Sequence, residues 1–126
     1  ATVDVTISAT AVNNPTISST APNADLYFAS LDGTQRVAEC RNLALDRLSL
    51  IIEASNTNRL DIHGNLNISG TGTLDMDDGN TATADGVINL LGNWNNTLSA
   101  TAFQEGNGTV RFRGNLNQTI TTQGGT

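Results

Sequence analysis

Apolar residues in this chain recur at every second position over short stretches. Val3, Val5 and Ile7 alternate with Asp4 and Thr6, Leu43 and Leu45 flank Ala44, Leu48 and Leu50 flank Ser49, and Leu74 and Met76 flank Asp75. A period of two puts the apolar side chains on one face of an extended strand. Clusters of turn-forming residues separate these stretches: Asn13-Asn14-Pro15, Ala21-Pro22-Asn23, Asp32-Gly33-Thr34, Asp77-Asp78-Gly79-Asn80 and Glu105-Gly106-Asn107-Gly108. Only the segment from Arg36 to Ala54 can also be read as a helix, with Val37, Leu43, Leu45, Leu48, Leu50, Ile51 and Ile52 as its apolar positions. The tight Leu43/Leu45 and Leu48/Leu50 alternation favours strands there.

A Gly-Asn-x-Asn tetrapeptide occurs at Gly64, Gly92 and Gly114, so its copies are 28 and 22 residues apart. Each follows a short strand-like segment, Leu60–His63, Ile88–Leu91 or Val110–Arg113, and each carries an apolar residue in its third position: Leu66, Trp94 and Leu116. Repeats of this size are single supersecondary units that bury their apolar faces by stacking on one another. The pattern predicts an all-β, right-handed parallel β-solenoid of about five imperfect coils over residues 1–126, a segment of a longer repeat protein. Inward positions are expected at Leu43, Leu45, Leu66, Leu74, Leu90, Trp94, Val110, Phe112, Leu116 and Ile120. Asn65, Asn93 and Asn115 are expected to form a ladder of side-chain amides between coils. The glycine before each is expected to take a positive φ at the corner.

Composition narrows the function classes. Hydrophobic residues are only 37% of the chain, but with two prolines and regular apolar spacing it reads as ordered rather than disordered. The net charge is −6 and the pI about 4.3. An acidic chain repels phosphate backbones and anionic lipid, which argues against nucleic-acid partners and electrostatic membrane docking. The longest apolar run, Leu48 to Ile52, is too short for membrane insertion. With one cysteine, Cys40, no intrachain disulfide can form, and a buried free thiol is expected. The sequence starts at Ala1 without methionine, which suits a processed or excised product.

The order of segments also carries a resemblance. Ala1–Ile7, Asn14–Ile17, Glu39–Leu45, Leu66–Leu74, Leu91–Asn96, Gly108–Gly114 and Gln118–Ile120 follow one another in a way that resembles the parallel β-helix repeat regions of large secreted surface proteins of Bacteroidetes-type bacteria. Those proteins are often exported by the type IX system and resemble adhesins. The resemblance implies an extracellular or cell-surface location and a structural or adhesive role, and it brings no catalytic residues with it. The segment from Leu26 to Gln35 departs from the pattern and is expected to be an insertion.

Candidate chemistry is sparse. Tyr27 and Phe28 lie in that departing segment and are the first choice for a contact surface, with surface glycans as a ligand class. Asp75, Asp77 and Asp78, with Asp85 nearby, have the flavour of a calcium loop, although no glutamate closes it in the EF-hand register. No other cofactor is implied. His63 is the single histidine and should point opposite Ile62, on the surface. Arg111 and Arg113 share a strand face opposite Val110 and Phe112. Asn-x-Ser/Thr triplets begin at Asn67, Asn95, Asn107 and Asn117, as chance produces in so Asn- and Thr-rich a chain. The favoured reading is a non-enzymatic structural module whose partners are adjacent repeats of its own chain or identical copies stacked end to end. The alternatives are a fragment of a carbohydrate-active β-helix enzyme, a polysaccharide lyase or hydrolase, and a viral tail-spike-like fragment. A β-helix enzyme would need converging carboxylates and cations, and the sequence shows no such cluster.

Overall fold

The computed structural model describes residues 16–17, 25–28, 37–46, 49–52, 58–76 and 86–123. Within them the chain is all-β. Its strands are β1 (Thr16–Ile17), β2 (Asp25–Phe28), β3 (Val37–Cys40), β4 (Leu43–Leu45), β5 (Ser49–Ile52), β6 (Arg59–Ile62), β7 (Leu66–Ile68), β8 (Thr73–Asp75), β9 (Val87–Leu90), β10 (Trp94–Asn96), β11 (Phe103–Gln104), β12 (Thr109–Phe112) and β13 (Ile120–Thr122). A single 3-10 turn, Ala100–Ala102, precedes β11. The ambiguous stretch from Arg36 to Ala54 thus forms three strands, β3 to β5. Among the described residues no helix is long and apolar enough to cross a membrane.

Every strand pairs in parallel with the strand three places along the chain. Three sheets result, with strand orders β1-β4-β7-β10-β13 (sheet A), β2-β5-β8-β11 (sheet B) and β3-β6-β9-β12 (sheet C). The register is continuous from rung to rung. Leu43, Leu66, Trp94 and Ile120 form one column of sheet A. Cys40, Ile62, Leu90 and Phe112 form one column of sheet C. Between sheets C and A, corners of two or three residues, 41–42, 63–65 and 91–93, turn the chain without losing that register.

Alternation decides what is buried. In β4, β7 and β10 the outer two residues face inward and the middle one faces out. Leu45, Ile52, Ile62, Leu66, Ile68, Leu74, Met76, Ile88 and Leu90 are fully buried. Each such side chain contributes about 1.5–3 kcal/mol by leaving water. Trp94 is buried among them and meets Phe103 edge-on, with ring centroids 4.8 Å apart and an interplanar angle of 71°. That geometry suits the quadrupoles of the two rings.

Three expected core residues are not buried. Phe112 is 41% exposed, Ile120 58% and Leu116 81%, while Val110 is half-buried. Phe112 stands in the column of Leu90 and Ile120 in that of Trp94, on the last described rung of sheets C and A, where no further described rung covers them. Leu116 is different in kind. Leu66 and Trp94 enter strands three residues after their glycine-bearing corners begin, but after β12 seven residues pass before β13. It is Ile120, not Leu116, that pairs with Trp94. Leu116 therefore lies in a corner enlarged by four residues.

The corners show how the rungs are joined. Asn42 Oδ1 accepts the Asn65 N–H at 2.7 Å, and the Asn65 carbonyl accepts the Leu43 N–H at 3.0 Å. One rung on, Asn65 Oδ1 accepts the Asn93 N–H at 2.8 Å, and the Asn93 carbonyl accepts the Leu66 N–H at 2.9 Å. Asn93 Oδ1 then accepts the Thr119 N–H at 2.8 Å. Asn65 and Asn93 thus belong to an asparagine ladder as expected, but Asn42 starts it and Thr119, not Asn115, ends it. The bonds run from backbone N–H to side-chain oxygen. An amide-to-amide bond does occur one column over, from Asn95 Nδ2 to Asn67 Oδ1 at 3.3 Å.

The corner glycines are needed for closeness rather than for a positive φ. Gly70 and Gly106 are the glycines with positive φ, and Gly64, Gly92 and Gly114 are not among them. A Cβ on Gly92 would lie 2.5 Å from the Gly64 carbonyl carbon and 2.6 Å from Asn65 Oδ1. Successive rungs touch backbone to backbone here, with Gly92 N–H donating to the Gly64 carbonyl at 2.9 Å.

Candidate functional site

Tyr27 and Phe28 lie in β2, in register with Ile51 and Ile52 of β5. The stretch Leu26–Phe28 is therefore a regular rung of sheet B, and the expectation of an insertion beginning at Leu26 is corrected. The remainder of that segment, Ala29 to Gln35, lies outside the described residues. Of the calcium candidates, Asp75 closes β8, while Asp77, Asp78 and Asp85 lie outside the described residues. Among the described residues no three His, Cys, Asp or Glu side chains gather into a group that could hold a metal ion.

Most described charges collect on the outer face of sheet C and its flanking corners. Arg59 contacts Asp61 through Nε and a terminal nitrogen, both at 3.0 Å from Oδ2. Asp61 Oδ1 accepts the Asn89 Nδ2 donor at 2.6 Å. The other end of that amide, Asn89 Oδ1, is buried without a hydrogen-bond partner. His63 Nε2 lies 3.5 Å from Glu39 Oε2, with both side chains well exposed. His63 thus faces the surface, opposite the fully buried Ile62. Arg111 and Arg113 are exposed, as a strand face opposite Val110 and Phe112 implies. Arg59 is thus paired with Asp61, and His63 stands beside Glu39.

Cys40 is a free, buried thiol beneath this face. Burial pushes its pKa up from 9.0 to about 11, because the thiolate would lose its hydration. Such a thiol is a weak nucleophile at neutral pH.

An open surface cleft of about 300 Å³ sits where sheets A and B meet, lined by Thr71, Thr73, Ser99 and Thr101 with Gly72 and Leu98. Ser99 and Thr101 share a hydroxyl–hydroxyl bond of 2.6 Å. The lining holds no carboxylate, histidine or cysteine, so these hydroxyls have no base beside them to activate a nucleophile.

The outer face of sheet A is the most regular surface. Three columns cross it: Asn42, Asn65, Asn93 and Thr119, then Ala44, Asn67, Asn95 and Thr121, then Asp46, Ser69, Thr97 and Gln123. The first two columns hold amides, hydroxyls and one methyl, and Asp46 alone brings a charge to the face. Composition gave no hint of this segregation, because charge is sorted between faces only once the three sheets form.

These surfaces and strand orders define the protein's class as an all-β chain of parallel sheets stacked rung on rung. No family model matches the chain, and no curated protein or solved structure matches it either.

Proposed function

We propose that this chain is a structural and adhesive segment of an extracellular surface or fibre protein, a right-handed parallel β-solenoid of about five coils that works without catalysis. The observation that carries the reading is the unbroken three-strand recurrence: each strand pairs with the third strand along, in all three sheets. Such a stack is stiff along its axis, since every rung adds backbone bonds and core columns to the one before. It also offers growth at its last described rung, where Phe112 and Ile120 continue buried columns yet stand in solvent. The reading assigns that surface to another rung of the same kind, supplied by the rest of a longer chain or by a copy stacked end to end. The resemblance to Bacteroidetes-type surface repeats points the same way, to a stalk or adhesin outside the cell.

The test combines sedimentation with amide exchange. The 126-residue chain is expected to associate as its concentration rises, with β12 and β13 exchanging fast until it does. A concentration-independent monomer with both strands protected overturns the reading. So does release of reducing or unsaturated ends from a polysaccharide panel that disappears in Asp77→Asn or Asp85→Asn, which would favour the enzyme alternative.

A further inference from the structure

Four of the six arginines of this chain, Arg41, Arg59, Arg111 and Arg113, stand on the outer face of sheet C or at its corner toward sheet A. The other two, Arg36 and Arg47, lie outside the described residues. The same face holds two carboxylates, Glu39 and Asp61, so it is cationic in a chain whose net charge is −6. Charge is also sorted along the stack. One column runs Glu39, Asp61, Asn89, Arg111, and beside it the corner residues run Arg41, His63, Leu91, Arg113. Both carboxylates are engaged on their own rungs, Asp61 by Arg59 and Glu39 by His63. Arg111 and Arg113 are exposed and form no ion pair among the described residues. They lie roughly 6.6 Å apart, two residues along one strand.

Asn89 supplies an independent observation. Its Nδ2 is held by Asp61 Oδ1 at 2.6 Å, which fixes the amide with its oxygen turned away from Asp61, on the side of the Arg111 rung. That oxygen is buried and has no hydrogen-bond partner, and Asn89 as a whole is only 6% exposed. Buried acceptors are rarely left so. A guanidinium has five N–H donors, so Arg111 can serve Asn89 Oδ1 and a carboxylate together once a ligand holds it in place.

The net charge does not forbid an anion here. Exposed charges are screened over about 8 Å at physiological ionic strength, so a ligand at β12 responds to the local arginines rather than to acids on other faces. Thr109, Asn89 and Leu91 surround the two arginines, and they offer no apolar core on which a protein partner could settle. Two arginines are too few to hold a nucleic-acid duplex or an anionic membrane against a chain charge of −6. A flat face holds a small acid weakly, whereas a polymer presents a further carboxylate to each arginine without leaving. The planar guanidinium fork matches the two oxygens of a carboxylate.

We propose that the β12 end of the outer face of sheet C docks a polyuronate, a polysaccharide whose sugars carry free carboxylates, with Arg111 and Arg113 as its binding residues and Asn89 positioning Arg111. This rests on the adhesive part of the function proposed above and names its ligand class and surface.

The experiment is retention of the full chain on immobilised polygalacturonate, with its methyl ester, dextran sulfate and duplex DNA as comparison surfaces. The wild type is expected to bind the free acid at low ionic strength, to be released as salt rises, and to pass over the methyl ester. Arg111→Gln and Arg113→Gln are each expected to weaken retention by about three- to tenfold, with unchanged circular dichroism melting curves. Gln123→Glu changes the net charge by the same one unit on sheet A and is expected to bind like the wild type. Asn89→Val is expected to weaken retention when Arg111 is present and to add no loss in Arg111→Gln, whereas a merely structural role would weaken both. Equal loss in the two backgrounds overturns the part assigned to Asn89. No retention on the free acid, equal retention on the methyl ester, full retention by both arginine variants, or a loss in Gln123→Glu as large as theirs overturns the proposal. Equal or stronger retention on dextran sulfate or DNA also overturns it, by making any polyanion the ligand. None of these outcomes touches the stalk reading, which stands or falls on sedimentation and on exchange at β12 and β13.

Discussion

The side-chain amide of Gln118 occupies the place that a backbone bond to Gly92 holds one rung earlier. Gly92 N–H donates directly to the Gly64 carbonyl at 2.9 Å. One rung on, Gly114 N–H donates instead to Gln118 Oε1 at 2.8 Å, and Gln118 Nε2 donates to the Gly92 carbonyl at 2.5 Å and to the Leu90 carbonyl at 3.0 Å. The four extra residues of this corner open the ladder by one link, and a side-chain amide of matching polarity closes it.

Gln118→Ala should therefore leave one N–H and one carbonyl without their partner. A loss of about 1–3 kcal/mol is expected in urea denaturation. Gln118→Glu should not rescue it at neutral pH, since a carboxylate accepts from Gly114 but cannot donate to two carbonyls. Wild-type stability in both variants would show that water replaces the amide freely.

Trp94 is the largest side chain of the core, and its loss cannot be compensated by neighbours tied into fixed columns. Trp94→Ala should cost about 3–5 kcal/mol. Chemical denaturation followed by circular dichroism measures it, and a loss below about 1 kcal/mol would show that the column from Leu66 to Ile120 does not close around the ring.

Gly92→Ala tests closeness between rungs. The new methyl would meet the Gly64 carbonyl carbon at 2.5 Å and Asn65 Oδ1 at 2.6 Å, and the backbone carbonyl cannot swing aside as a side chain could. Overpacking of this kind should cost about 1–3 kcal/mol. Gly106, by contrast, has a φ of 52°, a conformation asparagine tolerates, so Gly106→Asn should be nearly neutral. Equal costs at the two sites would refute the distinction.

Cys40 makes stability depend on pH in the alkaline range. Its pKa is pushed up to about 11 from 9.0. Below pH 9 the thiol is protonated whether the chain is folded or not, and Cys40 contributes no slope. Between pH 9 and 11 the unfolded chain releases the proton while the folded chain keeps it, so stability falls, by up to about 3 kcal/mol. Denaturation of the wild type and Cys40→Ala at several pH values isolates this slope. The same burial predicts slow alkylation at pH 8 in the folded chain and fast alkylation in urea.

Much of this architecture was written in the local pattern. Alternation and the Gly-Asn-x-Asn spacing by themselves determined an all-β chain with Leu43, Leu45, Leu66, Leu74, Leu90 and Trp94 inside, and placed Asn65 and Asn93 in a ladder. They could do so because a strand's period of two is a property of its own backbone. Contacts between rungs are not. The third tetrapeptide looked like the first two, yet only pairing of Ile120 with Trp94 showed that Asn115 and Leu116 had been looped out and that Gln118 closed the gap. Asn42 joined the ladder without a glycine before it, and Asn96 entered the core column of Leu45 and Ile68, satisfied there by the Ser99 carbonyl and the Leu98 N–H. Phe112 and Ile120 have the alternation of core residues but are exposed, because burial in a stack depends on the rung above. Tertiary structure decided these points for one physical reason: in a parallel stack the strands pair, and the columns form, between residues one rung apart, 22 to 29 positions along the chain.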